Sequence, residues 1–156
     1  MFDNLKQMRR DIATAESKRT EALWAGLSMI WGAWVANPML DTFPAAGRIF
    51  DAFTYIPVTL LGFSNNAAEI FWGLVVGCVG LYLLLALTTR SLRRRRRAVY
   101  LMMLQWGAFS AMFGLGDLRG TGCAFFGLNA VLGFSVYLHL SRLIRIEDRE
   151  KQGVTL

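Results

Sequence analysis

The stretch IFWGLVVGCVGLYLLLALTT, residues 70–89, runs directly into RSLRRRRR, residues 90–97. Twenty residues without Asp, Glu, Lys or Arg rise about 30 Å as a helix, which matches the hydrocarbon core of a bilayer. The basic run behind them marks the side on which such a helix stops. Outward from this segment, the same signature recurs at residues 22–40, 98–116 and 120–141, in blocks of 19, 19 and 22 residues. Apolar residues sorted into four blocks with charged separators are not the pattern of a soluble domain. The chain reads as an all-α polytopic membrane protein with four transmembrane helices. The 76 residues outside the blocks leave no room for a soluble domain of ordinary size. A charged 21-residue segment precedes the first block, and Asn37-Pro38-Met39-Leu40 lacks the small residues of a cleavage site, so this block is expected to remain as an anchor.

The 17 Lys and Arg residues fix an orientation. Five lie in residues 1–21, one in 41–69 (Arg48), six in 90–97, one in 117–119 (Arg119) and four in 142–156. Alternate segments therefore hold fifteen and two. Under the positive-inside rule both termini and the 90–97 loop are cytoplasmic, and the other two loops face out. An odd number of spans would place the two basic termini on opposite sides.

Three regions outside the spans carry structure of their own. Leu5, Met8, Ile12 and Ala15 fall at helical spacing while Lys6, Arg9, Arg10, Lys18 and Arg19 occupy other faces. Residues 1–21 thus form a cytoplasmic amphipathic helix, which either lies in the interface or runs unbroken into the first span. Asn37-Pro38 should end that span. In the outer loop, residues 41–69, Thr42-Phe43-Pro44 reads as a helix start and Pro57 as a stop, giving a short interfacial helix over 44–56. Ser64-Asn65-Asn66 is the turn into the second span. Residues 142–156 form a cytoplasmic tail. The two remaining links, 90–97 and Gly116 to Gly120, are short enough to make spans two, three and four antiparallel neighbours.

Packing residues come next. Gly73 and Gly77, four apart, with Gly80 one turn on, mark a face of span two where another backbone can approach closely. Gln105 and Asn129 sit within about one helical turn of each other in depth, so an interhelical hydrogen bond is expected between them. Trp31-Gly32-Ala33-Trp34 matches Trp106-Gly107-Ala108-Phe109 at an offset of 75 residues, which fits either a duplicated hairpin or chance likeness among apolar segments.

Chemistry is sparse. The spans hold no acidic or basic side chain, which disfavours a proton relay or an ion-coupled transporter. His139 has no neighbouring ligand or nucleophile in sequence, and Cys78 and Cys123 differ in depth by roughly 10 Å, too far for a disulfide. Neither a catalytic residue nor a metal or cofactor site is expected, and two free, packed thiols are. Arg93, Arg94, Arg95, Arg96 and Arg97 read as a topology signal resting on anionic headgroups. Eight residues between two spans leave no space for a base-reading element, so specific nucleic-acid recognition is not expected.

Trp31-Gly32, the aromatic segment from Phe50 to Pro57, Trp72-Gly73 with Gly77, the arginine hinge, Trp106, and Gly116 through Thr121-Gly122 together resemble small four-helix membrane proteins of tailed bacteriophages. The likeness covers most of the chain; the turn here reads Gly-Asp-Leu-Arg-Gly-Thr-Gly where those proteins tend to carry an Asn and a Ser-Thr-Gly. The resemblance implies a viral setting and no particular activity. Two functions are compatible with the sequence. One is a non-enzymatic structural or interaction subunit, partnered by the bilayer and by a second copy or another membrane protein. The other is a holin-like permeabiliser.

Overall fold

The computed structural model describes residues 2–37, 56–89, 91–116 and 121–152. The described residues are almost wholly helical and contain no strand. Four long helices dominate: α1 Phe2–Val35, α2 Asn65–Thr88, α3 Leu92–Gly116 and α4 Thr121–Lys151, with a single π-helical turn at Ile56–Leu60. Two of them, α2 over Ala67–Thr88 and α4 over Ala124–Arg149, are long and apolar enough to cross a membrane. Residues 44–55 of the expected interfacial helix and the Asp117–Arg119 turn lie outside the described residues.

Local chemistry sets the helix ends. α1 stops at Val35, two residues before Asn37-Pro38, where the conformational restriction ahead of proline works against continuation. Whether Pro57 follows a helix over 44–56 falls outside the described residues, which resume at Ile56. Pro57 occupies the second position of the π-turn, where its missing N–H costs no hydrogen bond. That turn closes at Gly62, the only described residue with positive φ (70°), as is common just past a helical C-terminus. Ser64 then caps α2, its hydroxyl accepting from the Ala67 N–H at 3.3 Å. At the far end Thr89 Oγ1 donates to the Ala86 carbonyl at 2.7 Å.

Of the two courses open to the N-terminal segment, the structure takes the continuous one: that segment and the first charge-free block, as far as Val35, form one unbroken helix of 34 residues, about 51 Å long. The arginine run departs from the sequence reading, because it is not a loop. α3 begins at Leu92, so Arg93 to Arg97 form its first turns, and only residues 89–91 separate it from α2. No acidic residue lies in that first turn, although the partial positive charge of a helix N-terminus disfavours cations there by about 0.3–1 kcal/mol each. Arg93, Arg95 and Arg96 each meet a side chain of another helix.

The helices associate as two closely packed pairs, α1 with α2 and α3 with α4, while α2 and α3 touch less extensively. Short links correctly anticipate the α3–α4 pair. The tightest approach to α2 comes from α1 despite the long connection between them. Between the pairs lies a core of Trp24, Met102, Trp106, Phe109 and Phe126, with Trp31 and Trp72 packed against it. The outer surface is also apolar. Leu23 and Ile30 on α1, Leu74 and Leu85 on α2, Leu101 and Leu104 on α3, and Leu128 and Val131 on α4 are all exposed.

Candidate functional site

One side of α1 presents Ser17, Glu21, Trp24, Ser28 and Val35, all buried, at intervals of three, four and seven residues. That stripe meets α3 and α4 at successive depths, and its first tier is an ion pair. Arg95 of α3 donates through Nε to Glu21 Oε2 at 3.0 Å and through Nη2 to Oε1 at 2.5 Å. Nη2 also reaches Ser17 Oγ at 3.4 Å, and Ser17 Oγ donates to Glu21 Oε1 at 2.5 Å. Arg95 is 1% exposed and Glu21 0%. Two parallel hydrogen bonds between the guanidinium and the carboxylate make this the strong, geometrically specific form of an ion pair. Because both carboxylate oxygens are engaged, the arrangement is a closed clamp between α1 and α3 and leaves no free base for proton transfer.

The next tier joins α1 to α4. Trp24 Nε1 donates to Asn129 Oδ1 at 2.8 Å, and Asn129 Nδ2 donates to the Phe125 carbonyl at 2.8 Å. Gly133 makes this possible, because a Cβ there would stand 2.5 Å from the Trp24 ring. The bond expected between Asn129 and Gln105 is therefore not formed. Gln105 has neither its amide nitrogen nor its oxygen hydrogen-bonded, although both atoms are buried. Asn129 is committed to Trp24 and to its own helix instead. Gln105 lies four residues before Phe109, on the side of α3 whose ring meets Trp72 of α2 at 5.6 Å.

Further along, Ser28 Oγ lies 3.1 Å from Met102 Sδ, and aromatic rings then fill the centre. Trp31 meets Trp106 edge-on at 6.0 Å and Phe109 at 5.4 Å. Trp106 stacks on Phe126 at 5.3 Å, and Phe113 closes on Phe126 at 4.8 Å. Rings at these separations contribute about 0.5–1.5 kcal/mol per pair beyond area burial. Trp31 and Trp106, which stand 75 residues apart in sequence, meet each other here. Their glycine neighbours do not behave alike, since Gly32 abuts α2 tightly while Gly107 meets Ala130 at an ordinary 3.9 Å.

The glycines expected to pack separate into two kinds. A Cβ on Gly73 would lie 2.5 Å from Ala36 N and 2.6 Å from Gly32 O, and one on Gly80 would lie 2.9 Å from Ala25 O. These two positions admit the α1 backbone. A Cβ on Gly77 would meet nothing within 4 Å. Gly77 matters as a surface for Gly32, whose own Cβ would strike Gly77 N at 2.7 Å.

The five arginines also separate, because successive helical residues turn by about 100°. Arg95 points inward and is no headgroup contact. Arg93 pairs with Asp148 of α4 at 2.9 Å on the surface, and Arg96 lies 6.0 Å from the centre of the Tyr137 ring. Arg94 and Arg97 are exposed, with no side-chain partner among the described residues. Elsewhere, His139 Nε2 is buried without a hydrogen-bond partner. Cys78 is free and exposed rather than packed, and the Cys123 side chain lies outside the described residues. Among the described residues no three His, Cys, Asp or Glu side chains gather as metal ligands.

No protein-family model, curated protein or solved structure matches the chain. What it does is therefore argued from the arrangement of its own residues.

Proposed function

We propose that the chain is a four-span protein of the inner, cytoplasmic membrane with both termini on the cytoplasmic side. In this reading it is a non-enzymatic structural or interaction subunit, encoded by a phage, that holds partners at the membrane. The observation that carries the spanning part is the polarity of the bundle. All four helices expose large aliphatic residues outward, while an ion pair and an asparagine face inward. Such a distribution suits a lipid surround, where intramembrane polar groups face the bundle interior and pair with one another. The charge asymmetry of the sequence supports the orientation.

The subunit part is supported by the filled interior. A lumen that conducts is lined by polar side chains, whereas here Trp31, Trp106, Phe109 and Phe126 occupy the centre. α1 also begins twenty residues before the first charge-free block, so this segment is a helix continuous with that span. A helix of this kind would give a partner a docking element on the inner side.

Expression of the chain alone in bacteria tests both parts. Membrane potential and viability are expected to stay intact, with reporter fusions at residue 60 outside and at the C terminus inside. Prompt depolarisation with release of cytoplasmic enzymes would instead establish the permeabiliser. A C terminus found outside would overturn the four-span topology.

A further inference from the structure

We infer that the outward face of α3 is a binding site for one anionic phospholipid of the inner leaflet, with Arg94 and Arg97 holding the phosphate. The inference rests on the four-span reading above. Its first observation is the different fates of the arginines. Arg93 is engaged by Asp148, Arg95 by Glu21 and Arg96 by the Tyr137 ring. Arg94 and Arg97 are exposed and have no described side-chain partner, so two guanidiniums three residues apart stand on one side of the helix.

The second observation is what continues that face. Arg94, Arg97, Leu101, Leu104, Ala108 and Ala111 follow at alternating steps of three and four, and every one is exposed. Two cations are followed by two leucines and then by two small residues. From Arg97 to Ala108 the helix rises about 16 Å, roughly the depth of one leaflet. A diacyl lipid aligned with α3 would set its phosphodiester against the guanidiniums and its chains along Leu101 and Leu104. Guanidinium groups match phosphate oxygens with paired N–H donors, and an anionic headgroup lacks the quaternary ammonium that offsets the phosphate charge in a zwitterionic one.

Charge decides between this occupant and a second copy of the chain. Steps of three and four also describe a helix-dimer seam. A parallel, two-fold seam along this stripe would bring Arg94 and Arg97 against their own counterparts, like charge against like charge. An anionic headgroup satisfies both residues.

The test compares the full-length protein with R94Q/R97Q and R93Q/R96Q, each reconstituted into phosphatidylcholine bilayers containing a minor fraction of phosphatidylglycerol. Lipids retained by the protein are counted by native mass spectrometry, and insertion is checked by resistance to alkaline extraction. The wild type should retain phosphatidylglycerol preferentially. R94Q/R97Q should lose that preference by on the order of tenfold, following from two basic contacts at the headgroup level, while R93Q/R96Q should keep most of it. Inserted protein with no lipid preference overturns this inference alone. Equal loss in both double variants overturns it in favour of diffuse surface charge, and a dimer that depends on Arg94 and Arg97 overturns it in favour of a second copy. A wild-type chain that washes off the bilayer overturns the spanning reading together with this one.

Discussion

The seam between α1 and α2 and the seam between α1 and the α3–α4 pair hold the same helix by opposite means. Toward α2, contact depends on missing side chains: Gly32, Gly73 and Gly80 let backbone atoms meet where a Cβ would stand within 3 Å of its neighbours. Toward α3 and α4, contact depends on side chains that complete one another, as Arg95 does Glu21 and Asn129 does Trp24. In the proposed four-span reading lipid surrounds the helices, which then gain little from burying apolar surface, so dispersion at close range and interhelical hydrogen bonds carry association. The glycine seam should then fail on addition of an atom, and the polar seam on removal of one. Each can be broken separately.

The largest effect is expected at the ion pair. Arg95→Gln removes the cation and leaves the Glu21 carboxylate buried without charge compensation, a loss of about 3–5 kcal/mol in comparable pairs. Unfolding of the detergent-solubilised protein, followed by Trp fluorescence, should register it. Replacing both partners, as in E21M/R95L, should recover most of the loss, because well-packed apolar residues often equal or exceed a buried ion pair. If Arg95→Gln unfolds like the wild type, the clamp between α1 and α3 contributes nothing and the polar seam is not what holds the pairs together.

The glycine seam gives the intermediate effect. Gly73→Ala places a methyl 2.5 Å from Ala36 N, backbone that cannot turn aside, whereas Gly77→Ala points into open space. Forced overpacking of this kind costs roughly 1–3 kcal/mol. Gly77→Ala should be neutral or slightly stabilising through helix propensity. Gly133 is unsuitable as a control, since a Cβ there would meet the Trp24 ring. Equal stability of the Gly73 and Gly77 variants in the same unfolding assay would show that α1 and α2 do not approach as closely as described.

How much of this was legible follows from what block counting can see. The four charge-free blocks fall within helices where they are described, save the end of the first beyond Val35 and Thr89 at the end of the second, because absence of charge over twenty residues is a one-dimensional property. The stripe of Ser17, Glu21, Trp24 and Ser28 was equally present in the sequence, at steps of four, three and four. Glu21 adjoins the charge-free block, and a boundary defined by charge alone separates it from the face it shares with Trp24 and Ser28. The run of five arginines looks uniform in sequence, and only helical rotation assigns each a different neighbour. Gly77 matches its partner Gly73 in spacing, yet which of the two admits a backbone depends on the azimuth of α1, which spacing on α2 alone does not encode.

The smallest effects belong to the two mid-depth amides, and here the comparison becomes a difference of sign. Asn129 satisfies Trp24 Nε1 and uses its own nitrogen on the Phe125 carbonyl. Asn129→Leu orphans the indole N–H, and interhelical hydrogen bonds within membranes are worth about 0.6 kcal/mol on average and up to about 1.7. A loss of about 1 kcal/mol is expected. Gln105 has a buried amide with no partner, so the structure already carries the desolvation cost that a missing bond imposes. Gln105→Leu, of similar volume, should therefore leave stability unchanged or raise it by up to about 1 kcal/mol. Both variants are read in the same unfolding assay, with size-exclusion chromatography beside it. Stabilisation of one and destabilisation of the other would confirm that direction around the helix, rather than depth, decides which amide serves the bundle. Destabilisation by Gln105→Leu, or a change in assembly size, would mean that the Gln105 amide has a partner supplied from outside the single bundle.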